Sequence, residues 1–371
     1  MTFYILAVTL PSFVVDGLGG TKGEIGLVTT VFIVAGVILR PFTGKWLDEL
    51  SRKRLMIAAL LLYATASLAY LFVHRLELLL ALRIVHGASF GVATTSTTAI
   101  AADFIPEKRR GEGIGYFTLF MSMAMVLGPY VGLTIEARST FTWLFAFCSL
   151  LSFSALACGF MARLREQPLP PRAKRPLSWH SLFETSALPI SLAGSILAFS
   201  YGAISTFLSV YAKSIGFERI ASYFFIVFAA LILLTRPFTG RWFDKFGEHV
   251  LVYPGIALFV IGLVCLSQAH SPTMLLLSGA VSGLGFGALF PSFQAVVLRA
   301  APPNRRGIAT GTFFLMFDLG YGVGSLLLGI LAAHTDYRVM YFISALVVVC
   351  TLPLYYGLHH RRAAHSGMEP S

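Results

Sequence analysis

The chain carries one twelve-residue stretch twice, first as Leu39-Arg-Pro-Phe-Thr-Gly-Lys-Trp-Leu-Asp-Glu-Leu50 and again as Thr235-Arg-Pro-Phe-Thr-Gly-Arg-Trp-Phe-Asp-Lys-Phe246. The shared arginines, Arg40 and Arg236, lie 196 residues apart (236 − 40), and three further landmarks keep this offset. The landmarks pair Gly87-Ala-Ser-Phe-Gly91 with Gly283-Leu-Gly-Phe-Gly287, Arg109-Arg110-Gly111 with Arg305-Arg306-Gly307, and Gly128 with Gly324. Four blocks at one spacing indicate that the chain consists of two copies of one unit.

The composition places both copies in a membrane. Of 371 residues, 56% are hydrophobic and only 12% are charged, whereas soluble proteins carry roughly 25% charged residues. The net charge of +11 does not indicate a nucleic-acid partner, because the basic residues sit in short loops between apolar runs, as membrane orientation requires. All four cysteines fall inside apolar runs and have neither metal-ligand nor disulfide spacing.

Twelve apolar segments follow one another along the chain. Spanning a bilayer takes about 20 apolar residues, and the first segment is shorter than that. It has no basic region or cleavage site, so we expect no signal peptide; interfacial residues complete this helix, or the chain starts late. The segments are 1–15, 24–44, 54–73, 78–102, 112–135, 141–163, 187–212, 219–239, 250–269, 273–298, 308–333 and 338–358.

Lysine and arginine are shared unevenly between the two alternating sets of loops. One set holds about nineteen of the 28 basic residues and the other about six, so the rich set is predicted to be cytoplasmic. We therefore expect a multi-pass protein of the cell (inner) membrane with both termini in the cytoplasm. It divides into a six-helix bundle (1–164), a proline-rich basic linker (165–186), a second six-helix bundle (187–358) and a tail (359–371).

These features resemble the major facilitator superfamily over nearly the whole chain. The signature loop of that family reads Gly-x-Leu-small-Asp-basic-x-Gly-basic-basic, and the first copy here has Gly44, Asp48 and Arg52 in place. Glu49 and Ser51 depart from the pattern. The resemblance implies an all-α membrane fold of twelve helices in two pseudo-symmetric bundles around a central cavity.

The second copy of the loop keeps Gly240 and Asp244, but Glu248 and His249 replace its basic pair. In the family fold, Asp48 would lie near the N-terminus of the eleventh helix, where a carboxylate is stabilised by roughly 0.3–1 kcal/mol. The resemblance thus implies that both loops latch the cytoplasmic side when the transporter faces outward. The alternative is that Asp48 only orders its loop.

Arg83 interrupts the fourth apolar segment, in the pattern Arg-x-x-His-Gly where the family has Arg-x-x-Gln-Gly. A cation inside a span costs roughly 2.5–3.5 kcal/mol, so it needs a partner or a wet cavity. The repeat has Gly279 at the matching place, and this asymmetry points to function. By resemblance, Arg83 assists proton coupling; the alternative is a structural arginine that extends to the outer interface.

The fifth segment contains Gly128, Pro129 and Gly132, which resemble the motif of antiporters in this family, Gly-x-x-x-Gly-Pro-x-x-Gly-Gly. Ala124 and Leu133 replace the first and last glycines. Glycines four residues apart also allow close helix packing, so packing alone is the alternative. The match indicates the drug:proton antiporter-like branch and therefore export.

Asp318 lies twelve residues past Arg306, about 18 Å along a helix and thus near the middle of the bilayer. The matching residue of the first copy is Ser122. An ionisable residue at this depth is a candidate proton-binding or cation-binding group, although a structural role is the alternative.

Six side chains fall on segments that line the cavity in this family. An aromatic, mostly apolar pocket suits amphipathic compounds, especially cations, although each residue could instead pack in the core or face lipid. The candidates for substrate binding are Tyr4, Tyr201, Phe207, Phe290, Phe293 and Gln294.

The sequence predicts a secondary active transporter. We expect a monomer that exports a small amphipathic or drug-like compound in exchange for protons, by alternating access, without a cofactor, metal or nucleic-acid partner. The chain has no Gly-x-x-x-x-Gly-Lys-Ser/Thr loop for ATP, no paired metal ligands and no nucleophile elbow, so enzyme activity is not expected. The alternatives are a proton-coupled symporter that imports a metabolite and a transporter-like ligand sensor.

Overall fold

The computed structural model describes residues 1–104, 110–162, 183–302 and 306–357, and the regular structure in these ranges is helical. The helices of the N-terminal half are α1 (Thr2–Ser12, continued as a π-turn over Phe13–Gly17), α2 (Lys22–Glu49), α3 (Arg52–Ala69), α4 (Leu76–Phe104), α5 (Arg110–Arg138) and α6 (Phe141–Met161). Those of the C-terminal half are α7 (Leu188–Ser214), α8 (Glu218–Phe246), α9 (His249–Ser267), α10 (Pro272–Ala300), α11 (Arg306–His334), α12 (Tyr337–Val349) and α13 (Thr351–Tyr355).

The predicted all-α membrane fold is confirmed. In the described ranges, ten helices are long and apolar enough to cross a bilayer, and Thr2–Gly17 is a shorter apolar helix. With α5, which has 29 residues, and with α12 and α13 counted as one span, these helices make up the expected twelve.

The helix boundaries repeat the offset seen in the sequence. Four helices of the first half begin at residues 22, 76, 110 and 141, and their counterparts begin at 218, 272, 306 and 337. Each of these pairs differs by 196. The first helix departs from the pattern, because α1 begins at the position equivalent to Ala198, which lies ten residues inside α7.

The chain folds as two compact units, Met1–Pro176 and Leu177–Ser371. Most of the predicted linker (165–186) and the whole tail (359–371) lie outside the described residues.

Glycines bring the second and fourth helices of each unit into backbone contact. A Cβ added at Gly87 on α4 would collide with the carbonyl oxygen of Phe32 on α2, and a Cβ at Gly283 on α10 would collide with that of Phe228 on α8. The two contacts are again 196 residues apart. Because no side chain separates the backbones, these crossings fix which faces of α4 and α10 point into their bundles.

A second equivalent contact joins the third and sixth spans of each unit. The Lys53 Nζ donates hydrogen bonds to the carbonyl oxygens of Ala162 (2.9 Å) and Phe160 (3.4 Å) at the end of α6. A cation is favourable at this negative end of the helix dipole. The residue equivalent to Lys53 is His249, whose Nδ1 lies 3.0 Å from the hydroxyl oxygen of Tyr355 on α13.

Candidate functional site

Arg83 is buried inside the N-terminal unit, where it joins three helices. Its side chain is 1% exposed. The Nε–H donates to the carbonyl oxygen of Val28 on α2 at 3.1 Å, and Nη1 donates to the hydroxyl of Tyr70 after α3 at 3.4 Å. The guanidinium carbon lies 4.0 Å from the centroid of the Phe32 ring. This burial does not fit an arginine that extends to the outer interface.

The cation of Arg83 is stabilised by neutral groups. Within the described ranges, no carboxylate lies in ion-pair distance of its guanidinium. A carbonyl dipole, a phenol oxygen and the face of an aromatic ring surround it instead, and a desolvated cation–π contact is worth about 2 kcal/mol. The expectation that Arg83 needs partners holds, and these partners lie within its own unit.

A series of hydrogen bonds continues from Arg83 through the N-terminal bundle. The Tyr70 hydroxyl lies 3.0 Å from His86 Nδ1, and His86 Nε2 lies 3.1 Å from Ser67 Oγ. Ser67 Oγ is 2.9 Å from Ser152 Oγ on α6, which in turn is 3.3 Å from Thr2 Oγ1 on α1. We call these six residues the polar chain: Arg83, Tyr70, His86, Ser67, Ser152 and Thr2. All six are buried, at 4% exposure or less.

The glycines of the antiporter-like motif pack α5 against α1. A Cβ added at Gly128 would lie 2.6 Å from the Cβ of Tyr4, and one added at Gly132 would lie 3.0 Å from Cγ2 of Ile5. Pro129 is buried within the same helix. Tyr4, a candidate for substrate binding, thus lies at the α1–α5 contact and is half-buried.

An aromatic cluster occupies the middle of the C-terminal unit. Tyr201 on α7 lies 4.7 Å from Phe286 on α10, measured between ring centroids, and Phe286 stacks on Phe290 at 5.7 Å. Phe290 in turn lies 5.1 Å from Phe317 on α11. The structure thereby brings together two of the predicted residues, Tyr201 and Phe290. We define the aromatic cluster as Tyr201, Phe228, Phe286, Phe290, Phe314, Phe317 and Tyr321.

Asp318 lies on a face of α11 that the aromatic cluster shares. Residues three and four positions apart are neighbours on a helix surface, so Phe314 and Tyr321 flank Asp318. Phe314 lies 6.4 Å from Phe290, and Tyr321 lies 6.0 Å from Tyr201 and accepts a 2.7 Å hydrogen bond from the Ser205 hydroxyl. The Asp318 side chain is half-buried. Asp318 therefore shares a face of α11 with two members of the aromatic cluster, Phe314 and Tyr321.

Two other aromatic candidates lie elsewhere in the same unit. Phe207 and Phe293 are both 0% exposed. Their rings lie 6.3 Å from Tyr337 on α12 and 6.4 Å from Tyr355 on α13, respectively. This placement supports core packing against the last span, so we do not retain either residue in the proposed site. Gln294 follows Phe293 on α10 and is half-buried.

The residues of the predicted latch lie at helix ends. Gly44 and Asp48 fall in the last turns of α2, and Gly240 and Asp244 fall in those of α8; their side chains lie outside the described part of the structure. Arg52 begins α3 and is half-buried. The latch therefore stays a prediction.

The departures from the signature in the second copy have partners within their unit. Glu248 forms an ion pair with Arg299 at 3.5 Å, and the Arg299 guanidinium lies 4.5 Å from the centroid of the Phe243 ring. His249 contacts Tyr355, as described above. Sequence reasoning missed these contacts and also most of the polar chain. Comparing the two copies position by position would have identified the polar chain, because the second copy is largely apolar there.

The fold is that of a multi-pass membrane protein with buried polar groups in its helices. The family profile described as Major Facilitator Superfamily matches residues 1–267 and 220–370, which together span almost the entire chain. The protein therefore belongs to the Major Facilitator Superfamily, as the sequence predicted, and it is a transporter rather than an enzyme.

Individual relatives cover the chain almost completely. The uncharacterized MFS-type transporter YhhS of Escherichia coli is 26% identical, over 98% of this chain and 91% of that protein. The staphylopine export protein of Staphylococcus aureus is 23% identical, over 90% of this chain and 86% of its own length. The inward-facing crystal structure of a bacterial homolog of the human lysosomal transporter Spinster has the same fold, with a TM-score of 0.82, 13% identity and coverage of 100% and 95%.

Proposed function

We propose that this transporter exports a small amphipathic compound in exchange for protons, by alternating access. The observation that carries the proposal is the position of Asp318 on α11, one helical turn from Phe314 and from Tyr321, which both belong to the aromatic cluster. A carboxylate beside aromatic faces suits a compound that joins a positive charge to an apolar ring system, because both the carboxylate and the rings attract cations. Such compounds are organic cations of drug-like size.

The same carboxylate can serve proton exchange. A proton and an organic cation each neutralise one negative charge, so Asp318 can hold one or the other. In this proposal, a proton from outside displaces the bound cation outward and is later released to the cytoplasm. Because one proton enters for each monovalent cation that leaves, the exchange moves no net charge, so the pH gradient rather than the membrane potential drives it.

Two further observations support export over import. The Gly128–Pro129–Gly132 segment resembles the antiporter motif of the family. One relative over 90% of the chain is an export protein, at 23% identity. We place the protein in the inner membrane with both termini in the cytoplasm, because cytoplasmic loops are rich in lysine and arginine.

Transport by purified protein in liposomes tests the proposal. Tetraphenylphosphonium, an aromatic cation, is the probe, and an imposed pH gradient is the driving force. We expect counter-directed proton and probe fluxes, and we expect Asp318→Asn to lower the gradient-driven rate by roughly tenfold or more. Glu218→Gln is the matched control, because Glu218 is an exposed carboxylate at the start of α8 in the same unit.

The two alternatives give different results in the same vesicles. A symporter that imports a metabolite would move substrate and protons in the same direction. A ligand sensor would bind the probe without exchanging labelled for unlabelled probe across the bilayer. An unchanged gradient-driven rate in Asp318→Asn would refute the proposal that Asp318 binds the proton and the cation in turn.

A further inference from the structure

The polar chain has no counterpart in the second half of the protein. The residues 196 positions after its six members are Ala198, Val348, Leu263, Ser282, Leu266 and Gly279. Apart from the serine, these side chains are apolar or absent, and all six residues are buried. The second copy thus builds the same part of the bundle without a hydrogen-bonded series.

The space that Arg83 fills in the first copy is filled by a ring in the second. The residue equivalent to Val28 is Phe224, and a Cβ added at Gly279 would lie 2.9 Å from its ring. The fold therefore does not need a cation here. Since apolar packing generally serves stability as well as a buried polar group does, a fully buried arginine with five polar partners in series indicates a functional role.

The donors and acceptors along the polar chain fix the state of His86. Arg83 Nη1 donates to the Tyr70 oxygen, so the single phenol proton of Tyr70 is free to point at His86 Nδ1. His86 Nδ1 then accepts, and Nε2 carries the ring proton and donates to Ser67 Oγ. The Ser67 hydroxyl donates its own hydrogen bond to the carbonyl oxygen of Tyr63, at 2.9 Å, or to Ser152 Oγ. A neutral ring with its proton on Nε2 satisfies every contact.

A protonated His86 would disrupt this order. Both ring nitrogens would donate, so the Tyr70 oxygen would face N–H groups from two cations and its own proton would lose its acceptor. The ring is also held by packing, since it lies 4.2 Å from Tyr63 and 5.5 Å from Phe32 between centroids. Both features hold the imidazole in one orientation.

We propose that His86 is a positioning residue that acts through Tyr70 to hold the Arg83 guanidinium over Phe32. Tyr70 contacts both side chains, whereas His86 does not hydrogen-bond Arg83 itself. The functional half of this inference rests on the proposed proton-coupled transport, in which Arg83 assists coupling. The structural half, that His86 holds Arg83 in place through Tyr70, does not depend on proton-coupled transport.

Chemical modification of Arg83 tests the structural half without a substrate. Purified full-length variants are treated with phenylglyoxal, and the modified Arg83 peptide is quantified by mass spectrometry relative to Arg299, which is 54% exposed. We expect slow reaction in the parent protein and roughly tenfold faster reaction in both Tyr70→Phe and His86→Leu. Tyr70→Phe removes a buried hydrogen bond to the guanidinium, and His86→Leu removes the acceptor that orients the Tyr70 hydroxyl. His86→Gln should react slowly, since an amide can both accept from Tyr70 and donate to Ser67.

Ser96→Ala is the matched control for these variants. Ser96 is a fully buried serine on α4, the helix that carries Arg83 and His86, and its Oγ has no hydrogen-bond partner in the described structure. Equal Arg83 reactivity in the parent, Tyr70→Phe and His86→Leu would overturn the proposal. If His86→Leu does not fold, unchanged Arg83 reactivity in Tyr70→Phe still overturns the proposal, because that variant removes only the oxygen atom through which His86 would act.

The pH profile of transport tests the functional half. In liposomes with tetraphenylphosphonium, we expect His86→Leu and Tyr70→Phe to shift the pH dependence of the gradient-driven rate and His86→Gln to restore it. If the parent protein is proton-driven and the pH profiles of His86→Leu and Tyr70→Phe match that of the parent, the coupling role of His86 is refuted. A parent protein that shows no proton-driven transport at all, with Arg83 still protected, would refute the proposed function and leave the positioning role standing.

Discussion

Ser152 and Ser96 are both fully buried serines in the N-terminal half, but their hydroxyl groups have different surroundings. The Ser152 hydroxyl donates to the carbonyl oxygen of Cys148 at 2.9 Å and lies within 3.3 Å of Ser67 and Thr2. The Ser96 hydroxyl has no partner in the described part of the chain. Removing a buried group that others depend on leaves those others unsatisfied, which is the larger part of its cost.

We therefore expect Ser152→Ala to lower stability by about 1 kcal/mol or more, because Ser67 and Thr2 lose a partner. Ser96→Ala should be neutral or slightly stabilising. The midpoint of thermal unfolding in detergent measures both. Equal shifts in the two variants would contradict the view that the polar chain holds this part of the bundle together.

At this scale, the sequence predicted which residues are unusual but not what they touch. Arg83 and Asp318 stood out because charge is rare in apolar segments. The partners Tyr70, Ser67 and Ser152 could not be recognised in the sequence. Each is an uncharged residue of a common type, and its role depends on how its helix is rotated. Phe207 and Phe293 remain predictions for the substrate site, because a list of apolar residues does not reveal which way each ring points; the structure shows both rings buried near the last span.

Helices α2 and α4, like α8 and α10, meet where a glycine faces the backbone of its neighbour. The carbonyl oxygens of Phe32 and Phe228 occupy the positions where a side chain on Gly87 or Gly283 would begin. A backbone atom cannot turn aside as a flexible side chain can, so one methyl group would separate the two helices.

We expect Gly87→Ala and Gly283→Ala each to cost roughly 1–3 kcal/mol, the usual range for overpacking. Gly311→Ala on α11 is the control, because nothing lies within 4 Å of a Cβ added there and alanine favours a helix by up to about 1 kcal/mol over glycine. The yield of monodisperse protein after heating in detergent reports the difference. Gly87→Ala with the yield of the control would show that the crossing tolerates a wider separation.

Element boundaries were largely predictable, and the reason is the repeat. Apolar length identified the spans, and the 196-residue offset checked each boundary against a second copy. The π-turn over Phe13–Gly17 that ends α1 was missed. The break between α12 and α13 was missed as well, although Pro353 lies four residues after Val349 and has no N–H to donate to its carbonyl oxygen. Both depend on local backbone hydrogen bonds.

Each half of the chain has six spans in the same order, and we expect this repeat to give both halves the same topology in the bilayer. An even number of spans in each unit gives both units the same topology. We therefore expect residues 196 positions apart to lie on the same side of the membrane, as the arrangement of lysine and arginine also predicts.

Cysteine labelling in intact cells tests this orientation. In a variant without the four native cysteines, we expect Lys22→Cys and Glu218→Cys to react with an impermeant maleimide from outside. Ser51→Cys and Lys245→Cys should react only after the membrane is opened. Lys22 and Glu218 begin α2 and α8, whereas Ser51 and Lys245 lie at the opposite ends of these helices. Labelling of Lys22→Cys but not Glu218→Cys from outside would rule out parallel halves.

The mostly apolar counterparts of the polar chain in the second unit suggest the design of a reference protein. In this design, the six residues of the polar chain are replaced by their counterparts from the second unit, and Val28→Phe fills the space beside residue 83. The second unit already packs the equivalent positions in this way. A variant of this kind would keep the architecture and lack the buried cation. A compound that raises the melting temperature of this variant as much as that of the parent binds without help from the polar chain. The variant and the parent together therefore form a simple screen for ligands.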